Sequence, residues 1–397
     1  MPGSEIQTHK SLPEASSSDL DIRDYRAGMY LRQYQYEAFV PSKVNHGWTW
    51  SDARLNTLLE EATQALGELN GCSFIVPDVD LFISLHVVKE ASESSRIEGT
   101  QTNMDEALRP VEEIDPERRD DWQEVQNYIQ AMNEAIEALR ELPLSNRLLR
   151  ETHRTLLQGV RGEHKMPGEW RRSQNWIGGT SLQDTVFIPP PHHEVPELMG
   201  DLEKFWHNEE INVPHLVRIA ISHYQFETIH PFLDGNGRIG RLLITLYLIS
   251  NGLLAKPALY LSSYFERHRA AYYDAFTVVR GTSDLGHWVR FFLLAIRETA
   301  RNGVETFQAI LKLRADVERR VLTLGQRAGN ARRVLSLLYQ RPFVNVNEVA
   351  DYLEVTHQTA NRLVEDLVRL DILREATGFR RNRRFVFRDY LTLFLPD

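Results

Sequence analysis

His230-Pro231-Phe232-Leu233-Asp234-Gly235-Asn236-Gly237-Arg238-Ile239-Gly240-Arg241 is the stretch on which both the fold and the chemistry of this 397-residue chain turn. Behind it, Ile239 to Ser250 is apolar nearly all round and reads as a buried helix. Ahead of it, Leu216, Ile219, Ala220 and His223 share one face of a helix over 215–228 that delivers the chain to His230. The twelve residues are therefore a tight connection between two core helices. His230 titrates, unperturbed, at about 6.5 and can take a proton near neutral pH. Asp234 is a hard oxygen donor of the kind that suits magnesium. Gly235-Asn236-Gly237 can turn successive N–H groups inward as an anion-binding nest. A helix N-terminus favours phosphate, and Arg238 and Arg241, three apart, can both lean toward it. Together these groups suit binding and activating a nucleotide triphosphate.

Working outward, the chain is mainly α. Ser51 or Asp52 can cap a helix whose apolar face is Leu55, Leu58, Leu59, Ala62 and Leu66, with a break at Asn70-Gly71. Pro77-Asp78 starts a second helix, striped by Leu81, Leu85 and Val88 and stopped by Gly99. More helices fill 122–158 and 196–206, with Pro196 in a first turn. Between Trp170 and Pro191 the pattern turns β-like. Asn175-Trp176-Ile177 and Thr185-Val186-Phe187-Ile188 flank a segment opening with Gly178-Gly179-Thr180, which predicts a small hairpin. The polar residues 1–25 read as a loose tail. The expected division is a helical region over 26–115, a core over 116–300, a connecting helix over 301–325 and a last domain over 326–397.

The motif matches His-x-Phe-x-(Asp/Glu)-Gly-Asn-Gly-Arg-x-x-Arg at every defined position, and the chain thereby resembles the Fic (Fido) family. The resemblance implies a Fic-type helical bundle whose hairpin flap holds a target segment as an added strand. It implies protein adenylylation: transfer of AMP from ATP, with Mg2+, to a Ser, Thr or Tyr hydroxyl of a target protein, self-modification included. His230 would be the base and Asp234 the magnesium ligand. Gly235, Asn236, Gly237, Arg238, Ile239, Gly240 and Arg241 would bind the phosphates, with Arg238 at the β- and Arg241 at the γ-phosphate. Tyr272 and Tyr273 stand as adenine-pocket residues, against the plainer reading of core tyrosines. Doc-like relatives that phosphorylate carry Lys where this chain has Gly237, which disfavours a kinase. Transfer of another nucleotide moiety, removal of AMP, and a nucleotide-sensing DNA-binding regulator are the alternatives, and a homodimer is compatible with each.

Ser94-Ser95-Arg96-Ile97-Glu98-Gly99 resembles the family's inhibitory motif, (Ser/Thr)-x-x-x-Glu-(Gly/Asn). Ser94 and Glu98 share a helical face. A carboxylate on a last helical turn gains from an external cation, and the resemblance supplies Arg241. Pairing of Glu98 with Arg241 would deny the γ-phosphate its clamp.

From 326 the pattern resembles a winged helix-turn-helix, with helices over 331–339, 346–353 and 357–370 and two strands around Gly378. Gln358, Thr359, Asn361 and Arg362, with Arg374, Arg380, Arg381, Arg383, Arg384 and Arg388, offer a DNA contact over 346–388. Glu365 and Asp366 oppose it, and a protein-docking role competes with it. The formal net charge of −9 argues against non-specific nucleic-acid binding by the whole surface. Cys72 is the only cysteine, which suits a reducing, cytoplasmic setting. No apolar leader segment and no membrane span is expected.

Overall fold

The computed structural model describes residues 19–76, 78–377 and 383–395. β1 (Leu20–Asp21) pairs in parallel with β4 (Trp48–Thr49). Between them β2 (Gly28–Arg32) and β3 (Glu37–Pro41) form an antiparallel hairpin in which Tyr30 faces Phe39. The loose tail expected to residue 25 is corrected over its described part. Ile22 and Tyr25 are buried, and the Tyr25 ring lies 5.6 Å from that of Trp48. Burying one large aromatic outweighs a polar local composition.

α1 (Ala53–Ile75) starts at Asp52, whose carboxylate accepts the Arg54 N–H at 2.9 Å. It runs straight through the break expected at Asn70-Gly71. Leu66 and Leu69 are buried along this stretch. Leu69 lies on Gly303, where a Cβ would meet its Cδ1 at 2.8 Å. That packing overrides the ~1 kcal/mol propensity penalty of a mid-helix glycine. α2 (Val79–Ile97) ends at Glu98 and Gly99, the latter at φ +100°; Pro77 lies outside the described residues.

α3 (Met104–Ala107), α4 (Arg119–Ala138), α5 (Asn146–Leu156) and α6 (Val195–His207) lead to α7 (His215–Ile229), in which every residue from Leu216 onward is buried. α8 (Asn236–Ser250) packs beside it. α9 (Ser262–Arg267) and α10 (Arg269–Thr282) follow. α11 (Leu285–Leu322) is one unbroken helix of 38 residues, so the domain boundary expected at 300/301 falls inside it.

The flap is less regular than the hairpin expected. Ile177 and Phe187 make a single antiparallel bridge. The Asp184 carboxylate takes the Thr180 and Ser181 N–H groups and closes the intervening turn. The Phe39 N–H donates to Ile188 O at 2.9 Å and so seats the flap on β3.

The last region comprises α12 (Ala328–Gln340), β5 (Phe343–Asn345), α13 (Val346–Leu353), α14 (His357–Arg369), β6 (Arg374–Glu375), β7 (Arg384–Val386) and α15 (Arg388–Thr392). Its sheet is ordered β5-β7-β6, with both pairings antiparallel. β5 is a strand the sequence reading did not include. The region packs on α2: the Phe82 ring lies 5.2 Å from Tyr339 and 6.2 Å from Tyr390.

Candidate functional site

The turn from α7 to α8 positions the motif. His230 caps α7 in the left-handed region (φ 50°), its N–H still donating to Phe226 O at 2.9 Å. Such a conformation is unfavourable for a non-glycine residue and needs support. Arg171 gives it. Its buried guanidinium donates to His230 O at 2.9 Å and Ile229 O at 3.3 Å, a cation set on the carbonyl end of a helix. Asn236 folds the loop on itself: its Oδ1 accepts the Phe232 N–H at 2.8 Å and its Nδ2 donates to Phe232 O at 2.9 Å. Phe232 in turn stacks on the His153 ring at 3.7 Å. His153 Nδ1 accepts the Gly168 N–H, so its Nε2–H donates to Asp234 O at 3.0 Å. Burial depresses His153 to about 4 and keeps it neutral. Arg171 and His153 lie far from the motif in sequence, and no local pattern marked them.

The surroundings of His230 keep it neutral. Burial, then the charge of Arg171, lowers it to about 4. Nδ1–H points to Glu227 O at 3.3 Å, which leaves Nε2 with its lone pair. Glu227 is a further residue that the motif did not announce. Its Oε2 lies 4.0 Å from His230 Nδ1, while its Oε1 is buried without a hydrogen-bond partner. Burial raises this carboxyl to about 8 against the opposing charge of Arg241.

α8 begins three residues earlier than expected, because Gly235 (φ 73°) serves as its N-cap. Asn236, Gly237 and Arg238 thus form the first turn, where N–H groups lack partners within the helix. Ile239 and Gly240 leave the expected phosphate-binding set. The Ile239 N–H is spent on Gly235 O, and its side chain is fully buried. Gly240 packs against Glu227, where a Cβ would lie 2.2 Å from Oε1. Arg238 is buried between Glu124 at 3.4 Å and Asp234 at 3.7 Å. The Asp234 side chain is 43 % exposed. One open carboxylate beside a helix N-terminus fits a magnesium ion, which takes few protein ligands and completes its shell with water and phosphate oxygens.

The contact expected between Glu98 and Arg241 is present. Arg241 Nη2 donates to Glu98 Oε1 at 2.6 Å and to Ser94 O at 2.9 Å, and its Nε donates to Ser94 Oγ at 2.8 Å. Burial opposes ionisation of Glu98, but the charge and hydrogen bond of Arg241 prevail and hold the carboxyl below its ordinary range. Arg241, only 1 % exposed in its side chain, is held firmly cationic by that neighbour despite its burial.

The two tyrosines separate. Tyr272 is a core residue: it is buried, stacks on Phe265 at 4.5 Å and hydrogen-bonds His223 Nε2 at 2.9 Å. Its place in an adenine pocket is withdrawn, since neither ring face is free. Tyr273 is 40 % exposed and stays open to a ligand.

The expected DNA surface is reduced. Arg384 pairs with Glu113 and Arg388 with Asp105, so both face the body of the protein. Arg374 pairs with Asp371 and Asp389, and Arg383 with Glu375. Asp366 is buried against Arg327 and Arg369 and does not oppose phosphates from the surface. Gly378, Arg380 and Arg381 lie outside the described residues. His357, Gln358, Thr359 and Arg362 are exposed on α14.

Residues 56–137 match the model of the Fic/DOC family N-terminal region, and residues 143–248 match that of the Fic/DOC family. The chain carries a Fic domain. A protein adenylyltransferase Fic of Culex quinquefasciatus is 35% identical over 144 residues, which are 36% of this chain and 26% of that protein. A probable protein adenylyltransferase of Aquifex aeolicus is 36% identical over 118 residues, 30% of this chain and 35% of the relative. The match thus spans only about a quarter to a third of these relatives' length. Among solved structures, a Fic family protein from Desulfovibrio desulfuricans G20 aligns with TM-score 0.50 and 22% identity over 83% of this chain and 95% of its own. A Fic-domain signaling protein from Bacteroides thetaiotaomicron aligns with TM-score 0.52 and 18% identity, over 62% of this chain and 97% of its own. At such identities the two structures speak for the Fic fold alone.

Proposed function

We propose that this Fic-domain chain is a protein adenylyltransferase that moves AMP from ATP to a hydroxyl of a target protein and rests with its γ-phosphate site closed by Glu98. The observation that carries the proposal is the seating of a neutral, partly buried His230 beside an α8 N-terminus whose second arginine, Arg241, is held by Glu98. In the reaction, His230 Nε2 takes the hydroxyl proton as the oxygen attacks the α-phosphorus. The bond to the β-phosphate oxygen breaks and pyrophosphate leaves. The N–H groups of the first α8 turn and Arg238 stabilise charge on the phosphates, while Arg241, freed from Glu98, fixes the γ-phosphate. Magnesium on Asp234 would supply charge neutralisation across the phosphates. The flap, seated on β3, is the edge to which an extended target segment adds as a strand. Self-modification falls within the same chemistry. The single cysteine supports a cytoplasmic setting. Among the described residues no helix is long and apolar enough to cross a membrane.

Incubation with ATP labelled at the α- or the γ-phosphate tests the reading. Label is expected on protein from the α-position alone, and His230→Ala is expected to remove it. Transfer from the γ-position would replace adenylylation with phosphorylation.

A further inference from the structure

A cavity of about 90 Å³ lies between α2, α9 and α11, one helical turn along α2 from Ser94. Lys89 of α2 and Arg267 of α9 line it. Among the described residues neither has a carboxylate within ion-pair range, and Arg267 donates only to the main-chain Ser263 O at 3.3 Å. Two cations facing one space repel each other; burial is the main cause that lowers Lys89, the charge of Arg267 adds to it, and Glu93 and Glu90 offset part of it. Tyr260 adds a second, independent sign. It is 8 % exposed, lines the cavity, and its hydroxyl has no hydrogen-bond partner. His86 Nε2, also on the lining, is buried and unpartnered. Buried polar atoms are nearly always satisfied, by water or an ion if not by protein. Glu90 is the one carboxylate on the lining, but it is turned into Ser262 and Tyr128, and burial raises it to about 7. The lining therefore offers two cations and unpartnered polar atoms to a ligand.

We propose that this cavity is a binding site for a phosphate-sized oxyanion, held by Lys89 and Arg267 and hydrogen-bonded by the Tyr260 hydroxyl. Thr299, Asn302 and Thr306 of α11 close the remaining wall. The volume excludes a whole nucleotide, so the ligand is a free oxyanion or the phosphate end of a phosphomonoester that projects from the opening. Because Lys89 stands on the helix that carries Ser94 and ends at Glu98, the bound anion ties that helix to α9 and α11.

Titration calorimetry of the full chain with inorganic phosphate, with sulfate as competitor and chloride as control, tests the site without reference to transfer activity. Saturable phosphate binding, competed by sulfate and not by chloride, is expected. Lys89→Met and Tyr260→Phe should each weaken it about tenfold, the loss of one charge-assisted or buried hydrogen bond. Tyr260→Phe keeps shape and volume, so a folded variant is expected. Arg238→Ala, which strips an anion contact from the motif, should leave the binding in place. A phosphomonoester that binds more tightly than phosphate itself would name the larger ligand as the source. Absence of saturable binding would overturn the proposal. So would binding that Arg238→Ala removes and Lys89→Met spares.

Discussion

Glu98 Oε1 occupies the space that a side chain at position 237 would need: a Cβ on Gly237 would lie 2.2 Å from it. The glycine that reads in the sequence as part of a phosphate nest is therefore also the seat of the Glu98 carboxylate. Gly237→Ala should push the Glu98 carboxylate aside and destabilise the protein by about 1 kcal/mol, less than overpacking of a rigid core, because the atom struck ends a flexible side chain. In the Glu98→Gly background most of that loss should vanish, since the atom that is struck is gone. Chemical denaturation of the four proteins of the cycle measures the coupling. Additive effects would show that Glu98 does not rest against Gly237.

Removing Glu98 leaves Arg241 buried with Ser94 alone as a partner. Arg241 is buried but the Glu98 side chain is 35 % exposed, so the loss is on the order of 1 kcal/mol, below that of a fully buried pair. Glu98→Gly should therefore melt earlier than the unmutated chain without ligand. ATP with magnesium should then raise its melting temperature more than it raises that of the unmutated chain, because a γ-phosphate replaces the missing carboxylate. Equal shifts in the two proteins would mean that Arg241 and the γ-phosphate do not meet.

The pH profile of transfer follows from His230, lowered to about 4 by burial and Arg171. A base with a depressed pKa stays deprotonated as pH falls, until pH reaches that value. Glu98 pulls His230 upward, so its removal depresses the value further. Initial rates of α-label transfer by Glu98→Gly should stay flat between about pH 5 and 7 and fall only toward 4. An acid limb centred near 6.5, the ordinary histidine value, would show that His230 is solvated during catalysis or is not the base.

Glu227 makes a stability prediction of the opposite sign. Its carboxyl is raised to about 8, so the fold favours the protonated form. The associated stability is full below the ordinary value of 4.5 and is lost as pH rises through 8. Glu227→Gln removes this dependence. The variant should gain up to a few kcal/mol over the unmutated chain at pH 8–9 and little at pH 4–5, as read by denaturant unfolding at each pH. A constant difference across that range would contradict the buried, protonated carboxyl.

The helical core and the motif were legible because their signals are local. Core periodicity marks α7 and α8, and the glycines of 235–237 mark the turn between them. Ser94 and Glu98 were legible through spacing, but their meeting with Arg241 depends on α2 lying across α8, which no local pattern states. Gly71 misled because tertiary packing against α11 outweighs the propensity of one residue. Tyr272 misled because an aromatic near a site reads alike whether it faces the core or a ligand. Arg384 and Arg388 read as a basic wing, since the acids that face them, Glu113 and Asp105, come from the other end of the chain. Arg171, His153 and Glu227 support the turn from α7 to α8 through main-chain contacts and burial, and single residues of that kind carry no sequence signature.

The central claim is an AMP transferase held off by Glu98. Intact mass of the Glu98→Gly protein after incubation with ATP and magnesium tests it most directly, beside the unmutated chain and the Glu98→Gly/His230→Ala double variant. The account predicts a gain of one or more AMP units in Glu98→Gly, at least about tenfold more of it than in the unmutated chain, and none in the double variant. Equal modification of the unmutated chain, or a gain of phosphate in place of AMP, would contradict it.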